Sequence, residues 1–289
     1  MKLDAGSFLL QWATGGLLFL WVTTRHRIVS LGYGWLLRGV YGCLAIGALV
    51  VELRSDHHGA GHAIFVAGTA LLIVAVVVAL LVSVLRRSAG VRGQRAERAR
   101  RAERVAAMVD GNETVEHTPD EPVGSEFPPM LDVPAPLLGV VGLLGAAALA
   151  GGPYGLAAAR LVVGAAFLGV ITDAMLLGHW YLTQPGLSRS PLKELVRWCA
   201  IAWPFEILVL LIPTGMISVL NGSISDGYGG LLGWMWVVSA VTTIGLIVVT
   251  WLALRERYYS AVMAATGLLY LAILTAFGTD LVARALLAP

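Results

Sequence analysis

The sequence carries little charge: Asp, Glu, Lys and Arg make up 13% of its 289 residues, about half the share of an ordinary soluble domain. So few charged side chains cannot clothe a water-soluble globule of this length. Only two cysteines occur, Cys43 and Cys199, both inside apolar runs and in no CxxC or other ligand spacing. That excludes a disulfide framework and a cysteine zinc site. Lysine is nearly missing, with Lys2 and Lys193 alone among twenty basic residues, a compositional bias from which no function follows. The formal net charge of +2 is too small to point to a nucleic-acid partner. Also absent are the motifs of soluble catalysis: there is no GxSxG, no Walker A, no GxGxxG after a strand and no HExxH.

What the chain has instead is apolar length. Hydrophobic residues are 57% of it and the mean hydropathy is +0.79. Apolar runs fall at 7–24, 32–53, 63–85, 137–152, 156–178, 195–213, 231–254 and 258–279, each near the roughly 17–25 residues that a spanning helix needs. The expected fold is therefore all-α, a polytopic integral membrane bundle of about eight transmembrane helices in the cell (cytoplasmic) membrane. The first run is read as an uncleaved span, because Asp4 precedes it and Arg25 and Arg27 follow it. The basic residues then set the threading. With both termini outside, sixteen of the twenty fall in inner segments, at 25–38, 86–133, 179–197 and 255–257. The other four, Lys2, Arg54, Arg160 and Arg284, are expected at outer helix ends, snorkelling to the headgroups.

The organisation reads as three parts: 1–85 with three spans, 86–133 as a cytoplasmic charged linker, and 134–289 with five further spans. The linker's first stretch holds eight arginines and can extend the third helix, with Glu97 and Arg101 spaced for i,i+4 support. From Asp110 to Asp132 it holds seven acids, no basic residue and several prolines, which predicts disorder. It could engage anionic headgroups or a protein partner, or fold its acidic part on its basic part. Similar His-then-basic-loop patterns after the first and fifth spans leave room for a four-plus-four parallel duplication.

Ionisable residues at membrane depth are costly and mark functional sites. Two qualify, Asp173 in FLGVITDAMLLGHW and Glu206 in CAIAWPFEILVLLIP. Ala165, Gly169 and Asp173 recur every four positions, a small-residue stripe that turns Asp173 to the bundle rather than to lipid. His179 is rotated about 120° from that face, against a direct relay between the two. Pro204 frees a carbonyl in the sixth helix, and Ser239, Thr242, Thr243, Thr266, Tyr270 and Thr275 supply polar partners on the seventh and eighth. The leading functional expectation is proton-coupled or cation transport through the last four helices, with Asp173 and Glu206 as the sites. The bland alternative holds both acids neutral on hydroxyls or waters.

Two further constellations stand beside it. Asp56, His57, His58 and His62 in DHHGAGH, outside, bring imidazoles and a carboxylate together as candidate ligands of a transition metal. His26 and His179, on the inner side, are candidate axial ligands of a b-type haem or neighbours of a quinone, with Arg25 and Arg27 placed for propionates. That reading makes the chain a membrane redox subunit. A third makes it an assembly or scaffold protein working through the linker. Ser190 with Pro191 behind it predicts the start of the sixth helix.

Overall fold

A computed structural model describes residues 4–87, 127–183, 188–212, 215–256 and 258–287. Among them no strand occurs, and the elements are helices α1 (Ala5–Thr24), α2 (Leu31–Leu53), α3 (Ala60–Leu85), α4 (Pro134–Leu149), α5 (Tyr154–Thr183), α6 (Ser190–Leu211), α7 (Gly215–Leu220), α8 (Leu231–Ala253) and α9 (Tyr259–Leu286), with a 3-10 turn at Pro129–Asp132. The linker from 88 to 126, including its arginine stretch beyond Arg87, lies outside the described residues.

Seven of these helices are long and apolar enough to cross a membrane, counting the 3-10 turn with α4. The remaining run, 195–213, forms the 22-residue α6, but Lys193, Glu194, Arg197 and Glu206 leave it too charged to join that set on composition. Local signals set the helix starts. Asp4 caps α1, its carboxylate accepting from the amides of Gly6 (3.2 Å) and Ser7 (2.8 Å). Helix α6 begins at Ser190, one residue ahead of the expected start, with Pro191 in its first turn. Asp226 serves α8 from the preceding loop, accepting from the amides of Tyr228, Gly230 and Leu232 at 2.9, 2.8 and 2.9 Å.

Helices α1 and α5 lie side by side at the centre of the bundle. Their crossing rests on glycine: a Cβ on Gly15 would collide with the Ala165 carbonyl, and one on Gly169 with the Gly15 backbone. The stripe Ala165, Gly169, Asp173 is thus the face by which α5 meets the front of the bundle, as its spacing predicts. Around this pair the neighbours repeat. Helix α1 packs on α2 and α4, as α5 packs on α6 and α9. Likewise α2 packs on α3 and α3 on α4, as α6 packs on α8 and α8 on α9. The first four long helices and the last four therefore share one neighbour scheme, although α4 also packs directly on α5.

Outward faces are apolar. Leu71, Val74 and Leu81 on α3, Val238 and Val241 on α8, and Leu271 and Leu274 on α9 are all exposed, as side chains facing hydrocarbon would be. The last residues of the expected linker pack against α1, α3 and α4. Asp132, expected in a disordered acidic stretch, is instead buried and paired with Arg38 by two 2.7 Å hydrogen bonds, from Nε to Oδ1 and from Nη2 to Oδ2. Thr24 also donates to Asp132 at 3.3 Å, and the Arg38 guanidinium lies over the Phe127 ring at 4.5 Å. Proline positions explain the local order: Pro128, Pro129 and Pro134 pre-set the backbone for a 3-10 turn running into α4.

Candidate functional site

Asp173 sits about ten residues from the inner end of α5, with 0% of its surface exposed. Its Oδ1 accepts a hydrogen bond from the Tyr41 hydroxyl on α2. The Tyr41 ring lies against Gly16 of α1, where a Cβ would overlap it, so the absence of a side chain there lets the phenol reach α5. Tyr33, about two turns earlier on α2, donates to the Asp173 backbone carbonyl at 3.4 Å. Asp173 Oδ2 has no hydrogen-bond partner among the described residues. Among the described residues no basic side chain is paired with this carboxyl; its neighbours include the Tyr33 and Tyr41 phenols and the buried Cys199 thiol. Its hydroxyl partner thus comes from the front half, whereas the hydroxyls expected to serve it in the back half have other partners. Thr243 donates to Thr275 at 2.7 Å, and Thr266 donates back to the Val262 carbonyl.

Glu206 occupies the outer half of α6, 1% exposed, and neither carboxyl oxygen has a hydrogen-bond partner among the described residues. Its charged neighbours are Asp280 and Arg284 on α9 and Arg160 on α5. Both arginines were expected to snorkel outward; both turn inward instead and are buried. Arg160 donates from Nε to the Val209 carbonyl (2.9 Å) and from Nη2 to the Ile212 carbonyl (2.8 Å), satisfying the end of α6. Arg284 donates from Nε to Asp280 Oδ2 at 2.7 Å and from Nη2 to the Gln11 side-chain oxygen, while Gln11 Nε2 donates to Asp280 Oδ1 at 3.3 Å. This buried polar group at the outer end was not singled out from the sequence. Asp280 and Arg284 at i,i+4 were the available signal, because an ion pair within one turn can turn inward as a unit.

The outer histidines divide. His57 and His62 turn to Glu52, which is fully buried at the end of α2: His57 Nδ1 lies 3.3 Å from both carboxylate oxygens and His62 Nδ1 2.7 Å from Oε1. Asp56 and His58 are exposed. Among the described residues no three His, Cys, Asp or Glu side chains gather as a metal-binding set. Beside His57, a small cavity of about 30 Å³ is lined also by Asp4, Ser7 and Leu161. That is room for a water or two.

The inner histidines are held by different partners. His26 Nε2 lies 3.1 Å from Glu194 Oε2, and Arg25 pairs with the same carboxylate. His179 Nδ1 lies 3.1 Å from the Tyr270 hydroxyl on α9. Arg27 ends α1 in the left-handed conformation (φ 54°), its amide donating to the Thr24 carbonyl at 2.9 Å. Asp173 and His179 face different sides of α5, toward α2 and α9, in keeping with the rotation of about 120° between them.

Asp226, in the loop ahead of α8, is held below its ordinary carboxylate range by the backbone amides pointed at it, Gly230 first and then Tyr228. No known protein family, no curated protein and no solved structure matches the chain, so its function has to be argued from these side chains alone.

Proposed function

We propose that this chain is a multi-pass protein of the cell membrane, eight spans with both termini outside, that carries protons through the seam between its two four-helix halves. Asp173 and Glu206 are the carriers in this reading. One comparison supports it. Of the six acids buried among the described residues, Asp132 and Asp280 are paired with arginine, Glu52 meets two histidines and Asp226 sits on backbone amides. Asp173 and Glu206 have neither a basic group nor an amide within hydrogen-bonding distance. An ionised carboxylate left so in an apolar interior costs several kcal/mol or more, so it takes up a proton or a cation instead.

The surroundings favour a proton. An alkaline-earth or alkali cation asks for about six oxygen ligands. Asp173 has one phenol and its own free oxygen; the rest of its contacts are apolar or a thiol. The bundle's plan also suits transport, since parallel four-helix units meeting at a central seam place a site between units that can rock against each other. Both inner and outer halves of that seam then hold one carrier: Asp173 nearer the inside, Glu206 nearer the outside.

The test is proton flux in liposomes holding the purified chain, with an imposed pH gradient and a trapped dye. Wild type is expected to collapse the gradient faster than empty vesicles, and Asp173→Asn and Glu206→Gln to return to the empty-vesicle rate. Wild-type flux that both variants reproduce would overturn the assignment, and wild-type flux no faster than empty vesicles would overturn proton movement itself.

A further inference from the structure

The polar group at the end of α9 contains two shortages within electrostatic reach of each other. Arg284 uses Nε and Nη2, but its Nη1 is buried without a hydrogen-bond partner. Glu206, one of its charged neighbours, is buried with two oxygens free. A buried guanidinium with an idle donor beside a carboxyl with idle acceptors is unstable to any loss of the carboxyl's proton. An unpaired buried charge costs several kcal/mol, and a charge-assisted bond to Arg284 removes that cost.

What Arg284 currently holds is the contact between α1 and α9. Gln11 bridges to it and to Asp280, and it does so through the space that Gly164 leaves on α5, where a Cβ would come within 2.5 Å of Gln11 Nε2. The Phe8 ring lies 5.5 Å from the guanidinium, and Trp12 and Phe277 stack edge-on at 4.6 Å just beneath. No other polar pair ties α1 to α9 among the described residues.

We propose that Arg284 is a proton-operated clasp: it stays on Asp280 and Gln11 while Glu206 is protonated, and turns its free Nη1 to Glu206, releasing Gln11, once that proton leaves. The step breaks the Glu206 O–H bond, sends the proton to water on the outer side and leaves the electron pair as the carboxylate that Arg284 meets. Release of Gln11 frees the outer end of α1 from α9 and opens the seam outward. The groups that set this balance are Asp280 and Arg284 on α9 and Arg160 on α5; α1, α7 and α8, which pack on α6, carry no ionisable side chain. Arg160 is committed to the carbonyls at the end of α6 and stays there in both states.

This inference rests on Glu206 being a proton carrier, but its experiment reads conformation and not flux. In the full chain with Cys43→Ser and Cys199→Ala, nitroxides are placed at Ala5→Cys and Ala285→Cys, both exposed at the outer ends of α1 and α9. Distances are measured by pulsed electron resonance in lipid nanodiscs between about pH 5 and about pH 9. The expected result is one short distance at the acid end and a second, longer by about 5 Å, growing as pH rises. Glu206→Gln should keep the short distance throughout, and Gln11→Ala should show the long one at every pH. A distance distribution that ignores pH, or that opens equally in Glu206→Gln, overturns the clasp. The same pH opening in Asp173→Asn, with its flux lost, would leave the clasp standing and isolate the failure to the inner carrier.

Discussion

Replacing Asp173 by Asn and Asp132 by Asn should have opposite consequences, although both acids are buried and both changes are nearly isosteric. Asp132 receives two charge-assisted bonds from Arg38, itself 2% exposed. An asparagine there leaves the guanidinium buried against a neutral amide, and breaking one partner of such a pair costs about 3–5 kcal/mol. Asp173 presents a different balance. If it already carries a proton, asparagine keeps the acceptor for Tyr41 and puts an NH2 group, one donor more, where an O–H stood. The oxygen it replaces had no partner. The expected cost is about 1 kcal/mol or less. At about 2–4 °C per kcal/mol for a chain of this size, Asp132→Asn should lower the unfolding temperature by about 10 °C and Asp173→Asn by about 3 °C or less. Tryptophan fluorescence of the detergent-solubilised protein during heating reads both, with nine tryptophans as reporters. Equal and large losses in the two variants would refute the reasoning, because Asp173 would then be an ionised group neutralised by a partner that asparagine cannot keep.

At the central crossing, Gly15→Leu should prevent α1 and α5 from approaching, since even a methyl group meets the Ala165 carbonyl; the folded yield in detergent should fall sharply, while Gly39→Leu on an open face of α2 should not change it. In the loop before α8, Asp226 is held below its ordinary range, so its stabilising effect is full above the unfolded carboxylate's pKa of about 4 and fades as pH falls through the lower folded value. Amide exchange at Tyr228, Gly230 and Leu232 should therefore accelerate only in strong acid, and Asp226→Ala should speed it already at neutral pH. Replacing both outer histidines, His57→Ala with His62→Ala, leaves Glu52 buried without either partner; a Glu52→Gln change in that background should regain most of the lost thermal stability, and no regain would show that the histidines do not serve the carboxylate. An absorption spectrum of the purified chain tests the redox alternative: His179 uses only Nδ1 and His26 only Nε2, so each keeps one ring nitrogen for iron; a Soret band lost in His26→Ala or His179→Ala would establish haem, and a featureless spectrum would remove it.

Helix positions were legible in the sequence because apolar runs of spanning length bounded by charge have few other readings, and the ends moved by only a few residues. The stripe through Gly169 was legible for a similar reason: a four-residue recurrence of small side chains fixes which face of a helix admits another backbone. Partners across the bundle were not. Nothing local in LGYGWLLRGVYG says that Tyr41 meets Asp173, since that depends on Gly16 on a third helix. Arg160 and Arg284 were misplaced for an instructive reason. A long cation near a helix end has two outlets, the headgroups or an inward acceptor, and only the tertiary arrangement of Asp280, Gln11 and the α6 carbonyls selects the second.

The buried acids also explain why the seam, and not the periphery, is the place to look for chemistry. Asp132, which fastens the chain ahead of α4 to α2, and Glu52, which closes the α2–α3 turn, are paired at the bundle's ends, and Asp280 is paired with Arg284 within α9. Each has its charge answered locally, so a helix can be held in place at little electrostatic cost. Asp173 meets the front half through Tyr41, and Glu206 lies near Arg284, which Gln11 links to α1; a permanent ion pair at either would lock the two units together. A carboxyl whose charge state follows its proton instead lets the contact change with occupancy, held while neutral and strained while ionised. Selection for rigidity alone would have filled these positions with Leu or Ala, as it has filled Leu168, Ala174 and Leu177 around them. In the proposed reading, acids at an interface without a fixed counter-charge are what a carrier needs; a static scaffold would gain nothing from them.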